Sequence, residues 1–223
     1  MGKNVTVSMS LELLETIFGL HPKRSSGELF FDGRQVEVNS PIDAIKSGIG
    51  FITEDRKHEG LVLQMSVASS ISLASLERTE RFGFLSASLE TQLAQDYVER
   101  LRIKTPSIKQ IVENLSGGNQ QKVVIAKWLA THPRILLLDE PTRGIDVNAK
   151  NEIYRLISEL AQKGLAIVMV SSELPEIMAI ADRIIVLSEG KQTAELARSQ
   201  AIEESIMKAA IPKSFQIQHS LHG

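Results

Sequence analysis

No cysteine occurs among the 223 residues, which excludes a disulfide framework and any metal centre built on thiolates. A reducing compartment is compatible with that composition. A long hydrophobic run is also missing. The longest stretch without charge, residues 60–76, reads GLVLQMSVASSISLASL, is rich in Ser, and falls short of the roughly 20 apolar residues that a membrane span needs. Charge of one sign is scarce: 25 Lys and Arg stand against 27 Asp and Glu, for a net charge of −2. That balance points neither to a nucleic-acid partner nor to an acidic tail. The opening residues, MGKNVTVSMS, hold one Lys and no apolar core, so they are not a secretory signal. The histidines, at positions 21, 58, 132, 219 and 222, are scattered without metal-ligand spacing.

What is present is ordinary for a soluble globular domain: 43% hydrophobic and 23% charged residues in a chain long enough to bury a proper core. Strand and helix patterns alternate, which points to an α/β fold. Residues 11–20 space their apolar side chains as a helix does. Residues 28–31 and 35–38 flank the turn Asp32-Gly33 as a hairpin. Residues 49–53, 134–138 and 165–170 are short apolar runs of the kind buried in a parallel sheet. Helices are expected over 85–101, from 123 to 129, over 148–163 (apolar at Ile153, Leu156, Ile157 and Leu160) and over 175–181. A closing strand pair is expected at 183–187 and 191–195, then a surface helix near 200–210 and a loose tail after Pro212.

Two segments carry chemistry. Leu115-Ser116-Gly117-Gly118-Asn119-Gln120-Gln121-Lys122 places a Ser-Gly-Gly run before a helix. Unpaired backbone N–H groups and the helix dipole make such a turn receptive to phosphate, and glycines let the backbone come close to it. On its own such a run is more often a helix cap. The second segment is an apolar strand, Arg134 to Leu138, ending in Asp139-Glu140-Pro141-Thr142, with Gly144-Ile145-Asp146 just beyond. Ligands bind at the carboxyl ends of strands in open α/β sheets. Asp139 is placed to reach a magnesium-bound water and Glu140 to polarise an attacking water.

Together these segments resemble the ATPase domains of the ABC transporter family. LSGGNQQKVVIAKWLA looks like the signature motif, RILLLDEPT like the Walker B strand and RGIDVNAK like the D-loop. GFITEDRKHEGLV resembles the Q-loop region and VSSELPEI the switch region of the C-terminal ATPase domain in bacterial importers of ribose, galactose and arabinose type. The resemblance runs from about residue 13 to 210. It implies a P-loop NTPase-like α/β fold: a mostly parallel sheet flanked by helices, a helical signature subdomain and a small antiparallel part. One domain is expected over 1–223, with a helical subdomain at about 62–118, a core at about 11–61 and 119–190, and a C-terminal helix at about 198–210. ATP and Mg²⁺ are the implied cofactors. The implied nucleotide contacts are Ser116, Gly117, Gly118, Gln120, Glu54 and Asp146, with Mg²⁺ held through water by Asp139 and catalysis assigned to Glu140 and the switch position Ser172. Asp146 is expected to communicate across a domain pair. Lys57, His58 and Glu59 are the expected contacts to a membrane subunit, and Trp128 a packing residue.

The pattern breaks in three places. No run in the chain spells the phosphate loop G-x-x-x-x-G-K-[ST]; aligned by the first helix, Ser10 falls where the Lys belongs and Leu11 where the hydroxyl belongs. The first strands of such a domain are expected to be missing along with the loop, as in an N-terminally truncated chain. Glu54 stands for the Q-loop glutamine, and Ser172 for the switch histidine. The implied role is the signature donor to ATP held by a second ABC ATPase domain with an intact Walker A loop. The further partners are transmembrane permease subunits and, indirectly, a periplasmic sugar-binding protein, with no nucleic acid. The chain is expected in the cytoplasm, peripheral at the inner face of the cell membrane, with its own ATP site defective and no turnover alone. The rival readings are an inactive remnant of such a domain and an ABC ATPase outside transport.

Overall fold

The computed structural model describes residues 4–8, 11–22 and 26–211. Its centre is a six-stranded sheet in the order β10-β9-β1-β8-β7-β4. In chain order the strands are β1 (Asn4–Ser8), β2 (Leu29–Phe31), β3 (Arg34–Val36), β4 (Ile49–Ile52), β5 (Glu80–Arg81), β6 (Phe84–Leu85), β7 (Ile135–Asp139), β8 (Ala166–Val170), β9 (Arg183–Ser188) and β10 (Lys191–Ala197). β4, β7, β8, β1 and β9 run parallel, and β10 closes one edge antiparallel to β9. β2–β3 and β5–β6 are separate hairpins. The helices are α1 (Leu11–Ile17), α2 (Pro41–Lys46), α3 (Val67–Ser72), α4 (Ala87–Arg100), α5 (Gly117–Leu129), α6 (Val147–Gln162), α7 (Leu174–Ile180) and α8 (Glu203–Ala210).

β1 corrects one expectation. The strand before the first helix is present: Asn4–Ser8 pairs with β8 from Asn4↔Ile167 and with β9 up to Ser8↔Val186. The physical reason is local. Asn-Val-Thr-Val-Ser is short, β-branched and free of charge, which suits a pleated surface. In that slot it also satisfies the facing N–H and C=O groups of β8 and β9, which would otherwise be two open edges inside the sheet. The loop position Ser10, the tail after Pro212, His219 and His222 lie outside the described residues.

Strand periodicity divides the core between two faces. Leu136 and Leu138 of β7 and Ile167 and Met169 of β8 point to the face covered by α3, α4, α5 and α6. Leu137 and Val170 point the other way, to Leu14 of α1, Phe18 just past it and Ala44 of α2. Alternation of this kind in fully apolar strands is what a sheet covered on both faces demands. α6 buries Ile153, Leu156, Ile157 and Leu160, the stripe its sequence shows. Trp128 packs edge-on to Phe18, with centroids 5.5 Å apart, as a packing residue does.

α3 falls in the uncharged stretch 60–76, which reads as a loop followed by a soluble helix, and it buries Ser70 and Ser72 along with Val67, Ala68 and Ile71. Three elements were not anticipated. α2 begins with Ser40, whose hydroxyl accepts the Asp43 N–H at 3.2 Å, followed by Pro at the first helical position. The second is the β5–β6 hairpin. The third is a single π-helical turn at Arg56–Gly60, capped by Asp55, whose carboxylate accepts the N–H groups of Lys57 and His58. At the end of α1 the chain turns at Gly19, with φ +81° and an added Cβ 2.8 Å from the Ser40 backbone, so only glycine lets α1 and α2 meet there. Among the described residues no helix is long and apolar enough to cross a membrane.

Leu14 is fully buried between α1 and the sheet. Leu14→Ala should lower unfolding free energy by about 2–5 kcal/mol in a urea titration. A loss within 0.5 kcal/mol would mean α1 is not docked on the sheet.

Candidate functional site

The parallel strands all end on one edge of the sheet, and the residues expected to carry chemistry collect there in two groups. The first surrounds the start of α5. Ser116 is its N-terminal flanking residue but does not cap it; its hydroxyl instead accepts from the Asn119 side chain at 2.9 Å. Asn119 Oδ1 in turn accepts the Lys104 N–H at 2.7 Å. The N–H groups of Gly117, Gly118 and Asn119 belong to the first helical turn and have no acceptor recorded among the described residues. Gly118 is buried against α6: a Cβ there would stand 2.6 Å from the Ala149 Cβ. Gln120 is also buried, and its amide donates inward to the carbonyls of Val112 at 3.2 Å and Glu113 at 3.3 Å. It shapes the turn and does not reach its open side. Asp146 caps α6 by accepting the Ala149 N–H at 3.0 Å. Glu54 pairs with Arg143 across the gap between the β4 and β7 exits.

The second group is Asp139, Glu140 and Ser172. Asp139 ends β7 and is 2% exposed, and its Oδ2 is buried without a partner. Thr53, one residue past β4, likewise has a buried hydroxyl without a partner. These two follow directly on the register pair Ile52↔Leu138, so adjacent strand ends hold two polar atoms open to a further ligand or water. Glu140 adopts φ +43°, a left-handed conformation that non-glycine residues hold only where surrounding bonds impose it. Those bonds are its N–H to the Val170 carbonyl at 3.0 Å and its Oε1, which accepts the Ser172 N–H at 2.5 Å.

Sequence reading missed Glu176. It is buried in the first turn of α7, where it accepts from Thr142 Oγ1 at 3.0 Å and Ser171 Oγ at 2.5 Å, so one carboxylate ties the loop after β7 to the end of β8. Burial pushes its pKa up. An acid in a first helical turn reads as dipole compensation, and nothing in the sequence marks this one as buried.

Electrostatics on this edge run one way. Burial, and then the charges of Glu140, Glu15 and Glu59, push the Asp139 carboxyl up to about 6. Glu15 lies on α1, the helix that follows the phosphate loop in a complete domain of this resemblance, and it is held by His21 Nε2 at 2.8 Å. Among the described residues no group of three acids, histidines or cysteines is arranged to hold a metal ion. Asp139 Oδ2 suits an outer contact to Mg²⁺, and the Thr53 hydroxyl is a second open oxygen at the neighbouring strand end.

Comparison with known proteins accords with this geometry. The sequence model described as ABC transporter matches residues 12–143, more than half of the chain. The chain belongs to that family. It is 56% identical over 202 residues to the ribose import ATP-binding protein of Rhodopirellula baltica, covering 91% of this chain and 40% of that protein. It is 52% identical over 199 residues to the xylose import ATP-binding protein of Moorella thermoacetica, covering 89% of this chain and 39% of that protein. The family member described here thus spans about two fifths of the length of these relatives. Among solved structures, a nucleotide-free ATP-binding cassette from an ABC transporter superposes with a TM-score of 0.76 at 19% identity, covering 97% of this chain and 87% of that one. A dimeric post-hydrolysis cassette bound to ADP and phosphate superposes at 0.71 and 22% identity, covering 88% and 85%. The shared fold is therefore that of an ABC ATPase cassette.

The raised Asp139 pKa has a definite sign. The folded state holds this proton up to about pH 6, whereas the unfolded chain releases it near 3.8, so the group's favourable contribution is present below pH 3.8 and lost as pH rises through 6. Asp139→Asn should therefore gain about 1–3 kcal/mol over wild type at pH 8, with the difference vanishing below pH 4. Urea unfolding at the two pH values measures it, and an Asn variant less stable than wild type at pH 8 would contradict the assignment.

Proposed function

We propose that the chain is an ATP-binding subunit or domain of a monosaccharide ABC importer that contributes its signature turn to ATP held by a partner domain. The observation that carries this reading is the turn itself. Ser116 is exposed, and the first N–H groups of α5 have nothing of the described fold bonded to them. A turn serving only as a helix cap would use the Ser116 hydroxyl on those N–H groups, and it does not. In the head-to-tail pairing of ABC domains, the Ser116-Gly117-Gly118 turn closes over the terminal phosphate of a nucleotide gripped by the Walker A loop of the second domain. The relatives' names, ribose and xylose import ATP-binding proteins, support a sugar as cargo.

The chain's own site is defective in this reading. Asp139 and Glu140 stand where the magnesium-water contact and the water-polarising carboxylate are expected, and Ser172 stands at the switch position. The neighbouring charges are carboxylates, and no Walker A sequence supplies the Lys and hydroxyl that a triphosphate needs. Each charge-assisted hydrogen bond of the missing loop is worth about 1.5–3 kcal/mol, so several of them lost weaken binding by orders of magnitude. Residues 62–118 act as the helical subdomain that presents the signature, on a core of 11–61 and 119–190 with a C-terminal helix at 198–210. Lys57, His58 and Glu59 are exposed on the π-helical turn and available to a permease subunit at the inner face of the membrane.

Calorimetry of the isolated chain with Mg²⁺-ATP should show no binding tighter than millimolar and no turnover. Adding a separately produced ABC domain with a complete Walker A loop should restore ATP-dependent association, and Gly117→Asp in this chain should abolish it. Micromolar ATP binding by this chain alone would overturn the division of labour. The remnant reading predicts a gradual thermal transition by circular dichroism, whereas an integrated sheet predicts a cooperative one.

A further inference from the structure

Arg56 is a buried cation without a carboxylate partner. It is 9% exposed. Nη1 donates to the Arg143 carbonyl at 2.8 Å and Nη2 to the Gly144 carbonyl at 3.2 Å, while Nε is buried with no acceptor. The acids beside it in sequence are committed elsewhere. Glu54 pairs with Arg143. Asp55 accepts from the backbone of Lys57 and His58 and from the His58 ring. Burial accordingly pushes the Arg56 pKa down, and Asp55 offsets this only by its charge.

The guanidinium points at the start of α5. A Cβ on Gly117 would lie 2.9 Å from Nη2 and 3.7 Å from Cζ. A positive side chain therefore sits against the positive end of a helix dipole, beside a turn whose N–H groups have no partner. Two like-signed features forced together and desolvated are costly unless an anion completes the arrangement.

We infer that Arg56 is the charged member of an anion site formed with the N–H groups of Gly117, Gly118 and Asn119, and that its ligand is a phosphate group. This rests on the signature reading above and adds to it a residue outside the signature. The phosphate accepts from the α5 N–H groups, and the charge of Arg56, whose guanidinium lies against Gly117, strengthens that hold. Because the same guanidinium grips Arg143 and Gly144, the loop after β7 is set by the same contact. The site needs glycine at 117, since any side chain there would displace the cation from the turn.

The test uses pyrophosphate as probe, the whole chain, and amide NMR at low ionic strength, with potassium chloride at matched ionic strength as control. Wild type should show saturable shifts at Gly117, Gly118 and Asn119 and at the Arg56 Nε–H. Arg56→Gln keeps a donor for the loop carbonyls but removes the charge, and should weaken pyrophosphate by about tenfold or more. Arg56→Lys should lose less. Gly117→Ala should weaken binding with Arg56 intact. Arg56→Gln binding as tightly as wild type, whether or not it melts earlier, would overturn the inference and leave the signature reading standing. Absence of any shift in wild type beyond the chloride control would also overturn the inference, whereas the signature reading falls only if the partner domain with a complete Walker A loop fails to restore ATP-dependent association.

Discussion

The close approach of α5 to α6 sets the position of everything on the active edge. Gly118 has no side chain, and the Ala149 Cβ occupies the space that one would fill. With the two helices in contact, the Ser116 turn is held beside the loop that leaves β7, and Asp146 at the start of α6 is in place to cap its own helix. Two buried cations extend the lock to the segment after β4. Arg56 grips the loop after β7, and the Lys127 ammonium donates to the Gly60 carbonyl at 2.6 Å. Burial brings Lys127 down to about 8, which leaves it mostly charged at neutral pH, and the Gly60 carbonyl and the Trp128 ring, 5.1 Å away, face that charge. The segment is thus tied at one end to the loop after β7 and at the other to α5.

The same edge carries opposite electrostatics at its two groups. At the start of α5 the local features are positive: a helix dipole, open N–H groups and a guanidinium. At the end of β7 they are negative, with Asp139 pushed up by Glu140, Glu15 and Glu59 on top of burial. A domain that binds triphosphate by itself has to set cations against those acids. In the proposed reading a polyanion would be drawn to the turn at the start of α5 rather than to the chain's own strand end. That asymmetry is what the proposed division of roles between two domains would use.

Much of this was legible because the relevant signals are periodic or compositional. β4, β7 and β8 are apolar runs of four or five residues, and a strand covered on both faces has no other way to read. The α6 stripe at 153, 156, 157 and 160 survives as its buried face. β1 was lost because its five residues carry only two aliphatic side chains, yet its neighbours in the sheet need a partner whatever its composition. The helix α3 was legible in the stretch 60–76, but the burial of its serines depends on packing against α4 and α5, a tertiary fact. α2 was readable and overlooked: Ser40-Pro41 followed by Asp43 is a helix start in chemical terms.

The residues that sequence reading could not reach share one property. Arg56 and Glu176 are charged, and both are more than nine-tenths buried. Charged residues default to the surface, so a run such as Glu54-Asp55-Arg56-Lys57-His58-Glu59 reads as a solvated loop. In the fold the π-helical turn rotates one member of that run inward and leaves Lys57, His58 and Glu59 outside. An α-helical turn advances 100° per residue, whereas the wider π turn, held here by the Glu59 and Gly60 N–H groups on the Asp55 carbonyl, changes which side chain faces the core. The choice of Arg56 over its neighbours therefore rests on backbone hydrogen bonding in the turn. That is why the cation nearest the phosphate-receptive turn comes from a segment 60 positions earlier in the chain.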